Sequence, residues 1–117
     1  MDALRKLEVW RRSCRLSANV FRLLATNRER VFRDQLIRST LSIASNIAEG
    51  YGRGSQRDRV HFLRYARASC NEAWTQLQIG IDAEIIDAET AKPLANEAVE
   101  IARMIGGLIR YFESATD

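Results

Sequence analysis

One proline, one histidine, two cysteines and two lysines among 117 residues exclude more chemistry than they suggest. Cys14 and Cys70 are far apart in sequence, each has apolar or small neighbours at helical spacing, and no Cys-x-x-Cys occurs; both are expected to be buried free thiols. With His61 as the single imidazole, the chain cannot assemble an ordinary zinc site, so no metal and no cofactor are expected. A thiol nucleophile served by His61 would still need oxyanion donors and an orienting acid, and none can be placed. No enzymatic activity is expected. Long apolar runs are also missing. The longest uncharged stretch, Ser39 to Ala48, has ten residues, five of them Ser, Thr or Asn, half of what a membrane-spanning helix requires. The basic residues at Arg5 and Lys6 are followed by no apolar segment resembling a secretory signal, so no membrane partner and a cytoplasmic location are expected.

What is present is helical periodicity, in an amount that suits one domain over residues 1–117. Leu94, Ala98, Ile101, Ile105, Leu108 and Phe112 alternate steps of four and three, the pattern of a bundle seam. Leu7, Trp10, Cys14, Ser17, Phe21 and Leu24 repeat it near the start, ending at Thr26-Asn27. A second helix from about Arg30 would turn Leu36, Ile37, Leu41, Ile43, Ala44, Ile47 and Ala48 inward and end where glycines begin. A third, capped by Ser55, carries Phe62, Leu63, Ala66, Cys70, Ala73, Leu77 and Ile81. Asp87 can cap the fourth helix, which either kinks or begins at Pro93, and Gly106-Gly107 would permit a close helix approach. Short connections imply an all-α, antiparallel, up-down-up-down four-helix bundle. Apolar residues outside a single stripe, such as Trp10 beside Val9, Trp74 beside Leu77 and Ile109 beside Met104, point to a second buried surface and hence self-association.

Charge is unevenly spread. Met1 to Arg67 carries fifteen Lys and Arg against six Asp and Glu, whereas Ala68 to Asp117 carries three against nine. Sixteen of the eighteen basic residues are arginine, which favours bidentate contact with phosphate or carboxylate. Arg5, Arg12, Arg15 and Arg22 share one side of the first helix, and Arg57, Arg64 and Arg67 share one side of the third. Such stripes suit a nucleic-acid backbone; the alternative is pairing with Asp82, Glu89, Glu97 and Glu100 within or between subunits.

Gly50-Tyr51-Gly52-Arg53-Gly54-Ser55 follows a helix rather than a strand and lacks the Gly-Lys-Ser/Thr of a phosphate loop. It reads either as a plain turn or as an anion site at the start of the third helix, flanked by Arg53, Arg57 and Arg59. Asn46, Glu49, Glu72 and Gln76 lie near the inward faces of the second and third helices and are expected to form a network that fixes register. Di-metal bundles need Glu-x-x-His, which is absent.

Asp34-Gln35-Leu36-Ile37-Arg38 and Ser42-Ile43-Ala44-Ser45-Asn46-Ile47-Ala48-Glu49-Gly50-Tyr51-Gly52-Arg53 resemble the four-helix-bundle family named for 23S rRNA intervening sequences. Leu7-Glu8-Val9-Trp10, Phe62-Leu63, Glu72-x-x-x-Gln76-Leu77 and Ile101-x-x-Met104-Ile105-x-Gly107-Leu108-Ile109 extend the resemblance over nearly the whole chain. It implies a barrel-shaped homopentamer with no established activity, with Asn46, Glu49, Gly50, Gly52, Glu72 and Gln76 as structural motif positions. Related proteins include the accessory factor of diversity-generating retroelements, so the resemblance also suggests RNA and a reverse transcriptase or other protein as partners. On this basis Arg12, Arg15, Arg53, Arg57, Arg64 and Arg67 are the candidate nucleic-acid contacts.

Overall fold

A computed structural model of the chain describes residues 1–115, which form five α-helices and no strand. A single-turn helix, α1 (Asp2–Arg5), precedes four long ones: α2 (Glu8–Leu24), α3 (Arg30–Tyr51), α4 (Gln56–Asp82) and α5 (Ala88–Ser114). The long helices are the four expected from periodicity; α1 has too few residues to show a period. Each long helix packs against two others, α2 and α4 both lying between α3 and α5, in an elongated body of 48 × 24 × 21 Å. Cross-helix bonds give the directions. Ser39 bonds Gln76 and Ser42 bonds Ser69, both at 2.8 Å, while Arg12 meets Glu97 and Arg64 meets Glu113. Between α3 and α4 one number rises as the other falls, and Arg59 over Phe112 with Arg67 beside Gly106 gives the same sense for α4 and α5, so these neighbours run antiparallel.

The helix starts follow local chemistry. Ser55 accepts a hydrogen bond from the Asp58 N–H at 3.1 Å, and Asp87 accepts from the Thr90 N–H at 3.0 Å and the Thr90 hydroxyl at 2.8 Å, each relieving donors that a helix leaves unpaired. Because Asp87 caps α5, the helix begins five residues before Pro93 and carries that proline in its interior. The end of α4 is a Schellman turn: the Ile85 N–H bonds the Gly80 carbonyl at 2.9 Å and the Glu84 N–H bonds that of Ile81 at 3.1 Å. Glu84 takes the left-handed position, φ 59°, where glycine would be usual.

Leu16, Leu24, Leu36, Ile43, Ile47, Leu63, Leu77, Ile101 and Ile105 are fully buried in the centre, each contributing about 2 kcal/mol by transfer from water. The core face of α2 is rotated from the expected one. Val9, Ser13, Leu16, Val20 and Leu24 point inward, while Trp10 and Cys14 are half-buried and Phe21 is 45% exposed. Leu41 on α3 is likewise exposed, and Ser39 and Thr40 take the inner positions. Their hydroxyls bond backbone carbonyls one turn earlier, as Ser13 does to Val9, so these polar groups are satisfied. Ile109, expected on a second surface, is core.

Of the glycines in and beside the α3–α4 turn, Gly50 serves packing, and none serves left-handed backbone, since no glycine has positive φ. A Cβ at Gly50 would lie 3.2 Å from Phe62 Cβ and 3.3 Å from the Arg59 carbonyl oxygen, so this glycine lets α3 meet α4 closely. Gly80 does the same beneath Phe32 and Ile86. Gly106 and Gly107, expected to permit a close helix approach, have no neighbouring backbone within 4 Å of where a Cβ would stand.

Candidate nucleic-acid interface

The six arginines singled out in the sequence fall into two groups. Arg12 on α2 makes a bidentate pair with Glu97 on α5, Nε to Oε2 at 2.8 Å and Nη2 to Oε1 at 2.6 Å. Glu8 adds a longer contact at 3.5 Å. The hydrogen bond from Arg12 to Glu97 holds the guanidinium still further above its ordinary high range, despite partial burial. Arg53 pairs with Glu49 at 2.5 Å, one turn earlier, and lies over the Phe62 ring at 4.6 Å. Arg64 pairs with Glu113 across the α4–α5 seam. These three guanidiniums already have carboxylate partners. Arg15, Arg57 and Arg67 have none among the described residues, and Arg15 and Arg57 are exposed.

Pairing is the exception across the chain. Of its sixteen arginines, Arg12, Arg33, Arg53, Arg64 and Arg103 have a carboxylate within 4.0 Å; the remaining eleven have none among the described residues. Of the acids expected as counter-charges, Glu97 and Glu100 are engaged, Glu100 with Arg103 on its own helix. Asp82 and Glu89 form no ion pair within this set. At the start of α4 the Arg59 guanidinium turns inward, over Phe112 at 5.6 Å, with its Nε buried and no partner among the described residues. The turn therefore presents Arg57 to solvent, and Arg59, whose Nη1 donates to Gln56 at 3.2 Å, only in part.

The polar contacts expected here exist as two separate groups, with different members. Asn46 donates to the Ser42 carbonyl and hydroxyl, both at 2.9 Å, and Ser42 bonds Ser69 across to α4. Gln76 accepts from Ser39. Asn46 and Gln76 thus each join one group, but Glu49 turns outward to Arg53, and Glu72 is exposed at the rim of a shallow cleft lined also by Ser42, Asn46, Tyr65 and Ser69. A carboxylate is more stable at the surface, in water or beside a guanidinium, than in the seam, and both positions follow from this. Sequence reasoning missed Ser42 and Ser39, which lie in the long uncharged stretch. Its spacing of hydroxyls at 39, 42 and Asn46 at helical intervals was the available signal.

Both cysteines are free. Burial raises the Cys70 thiol to about 12 and shifts Cys14 upward as well, which disfavours thiolate chemistry at either. His61 is exposed, its ring 4.6 Å from that of Tyr65. No helix is long and apolar enough to cross a membrane among the described residues.

Four long helices, serine–glutamine and serine–serine bonds across the α3–α4 seam, and a surface of mostly unpaired arginines define a helical-bundle protein with a basic exterior. The chain belongs to the 23S rRNA-intervening sequence protein family, whose model matches residues 5–107. The crystal structure of a protein of unknown function from the S23 ribosomal protein family of Bacteroides thetaiotaomicron is similar, with a TM-score of 0.81 and 27% identity. The match covers 86% of this chain and 97% of that one. No curated protein matches the chain.

Proposed function

We propose that this chain is a non-enzymatic, cytoplasmic protein that assembles with copies of itself, as a pentamer on the family resemblance, and binds structured RNA through phosphate contacts with its arginines. The observation that carries the reading is the excess of unpaired guanidiniums. A surface that only solubilised the protein would be served equally by lysine and would gain from mixed signs, whereas arginine offers a planar fork matched to phosphate oxygens. Contacts of this kind position a nucleic acid without reading its sequence, so recognition is by shape.

Self-assembly is supported by an apolar strip. On α2, Trp10, Cys14 and Phe21 form one helical row; on α3, Ile37, Leu41, Ala44 and Ala48 form another. Both rows lie beyond Ser17 and Thr40, whose hydroxyls meet at 3.5 Å, and so flank the outer α2–α3 seam. Phe21 and Leu41 are 45% and 46% exposed there. The same strip favours a second reading, in which a protein partner such as a reverse transcriptase covers it and the charge asymmetry serves assembly.

The test of the RNA reading is a triple variant, Arg15→Ala, Arg57→Ala and Arg67→Ala, which removes three unpaired charges and no ion pair. Affinity for a structured RNA hairpin is expected to fall at least tenfold with unchanged helicity and a weaker salt dependence. Undiminished affinity in the folded variant would assign these arginines elsewhere.

A further inference from the structure

A glycine inside a helix leaves a gap the width of a side chain, and its neighbours indicate the use of that gap. On α5, Gly106 is buried, yet a Cβ placed there would meet no backbone. Its neighbours would be two guanidinium nitrogens, Arg110 Nη1 at 3.6 Å and Arg67 Nη1 at 3.9 Å. One arginine comes from α5 and the other from α4, and they converge on the same point above the seam. Gly107 extends the gap, with Arg110 Nη2 3.8 Å from its own Cβ position. Two like charges so placed repel unless something negative lies between them. On α5, the acids to either side of Gly106 are already engaged, Glu113 with Arg64 and Glu100 with Arg103. Neither Arg67 nor Arg110 has an ion pair or side-chain hydrogen bond among the described residues.

We infer that the Gly106 notch binds one phosphate of an RNA backbone, gripped by Arg67 from α4 and Arg110 from α5; this rests on the RNA reading above. A phosphodiester carries a single delocalised charge and two free oxygens, so each guanidinium fork can face one oxygen. A glycine floor leaves room for the group that any larger side chain would occupy, at the expense of helix propensity. Arg64 and Arg57 continue on the same side of α4, Arg57 about 15 Å from Arg67 along the helix axis, so a bound strand would run along this seam. Arg110, absent from the basic stripes read in the sequence, belongs to this site because α5 brings it opposite Arg67.

The experiment compares the full chain with two variants, Arg67→Gln/Arg110→Gln and Gly106→Glu, the latter placing a carboxylate between the two guanidiniums. A labelled RNA hairpin is titrated across a salt series, with helicity and mass in solution measured on each sample. Arg28→Gln/Arg38→Gln, at two exposed arginines outside the candidate contacts, removes the same charge elsewhere and serves as the control. Both notch variants are expected to lose about tenfold in affinity and to lower the salt slope by about one, more than the control does. Folded notch variants that bind like the control overturn the notch while leaving the RNA reading intact. Loss of affinity accompanied by a change in mass also overturns it, assigning the pair to a subunit contact. Absence of binding by the unaltered chain refutes the RNA reading itself, and the notch assignment with it.

Discussion

The Cys70 thiol is 1% exposed among aliphatic side chains, and its environment has a measurable consequence. Burial raises its ionisation from the ordinary 9.0 to about 12. Since the folded value lies above the unfolded one, the thiol's contribution to stability is intact below pH 9 and declines as the unfolded chain ionises between pH 9 and 12. Between pH 8 and pH 10 the wild type is expected to lose about 1 kcal/mol more than Cys70→Ala in urea unfolding. Equal losses in both proteins would mean that the thiol ionises as readily folded as unfolded. The burial of Cys70 was legible in the sequence, because Ala66, Ala73 and Leu77 continue its row. The environment of Glu84 was not, because its left-handed backbone arises from how α4 is led into α5, and glutamate carries no local preference for that conformation. Arg12 falls between these cases: its charge suggested phosphate, but only the fold brings Glu97, 85 positions later, within bonding distance.

At the scale of the element, seam phases were readable where apolar residues occupy a single row and misread where they occupy two. α4 and α5 present one dominant row each, and nine of the thirteen expected inward residues are buried, with Phe62, Ile81, Leu94 and Leu108 half-buried at the edges. α2 carries Val9, Leu16 and Val20 on one row and Trp10, Cys14 and Phe21 on another. The larger side chains favoured the second row, whereas the groove between α3 and α5 accepts the smaller set. Close packing also decides the glycines. At Gly80 a Cβ would stand 2.5 Å from Phe32 Cζ and 2.8 Å from Ile86 Cδ1, so Gly80→Ala forces a shift costing about 1–3 kcal/mol, offset by about 1 kcal/mol of helix propensity. Gly54, with nothing within 4 Å, is the control, and Gly54→Ala is expected to be neutral or slightly stabilising. Thermal unfolding of the two variants checks the contrast; equal melting temperatures would mean that α4 and the α4–α5 turn are not packed as described.

For the whole molecule, the four-helix architecture followed from periodicity and short connections, because a bundle's core is a direct consequence of apolar spacing. The interaction surface was less legible. Composition revealed an arginine excess concentrated before Ala68, but which arginines are free depends on contacts between α2 and α5 and between α4 and α5 that no local pattern encodes. The fold neutralises Arg12, Arg53 and Arg64 and leaves Arg15, Arg57 and Arg67 available, and it adds Arg110 from the otherwise acidic half. The two functional proposals are linked at this scale. An assembly covering the apolar α2–α3 strip would repeat the basic seam around its exterior, so that several weak phosphate contacts act together on one RNA.

The most direct measurement is binding of nuclease-treated protein to a structured RNA over a range of salt concentrations, with the mass in solution determined on the same sample. If arginine–phosphate contacts carry the function, an oligomer will bind, and log affinity will fall with log salt with a slope of about −4 or steeper, corresponding to about five released counterions. No binding at low salt, or binding indifferent to salt, would contradict the account and turn the arginine surface over to protein contacts.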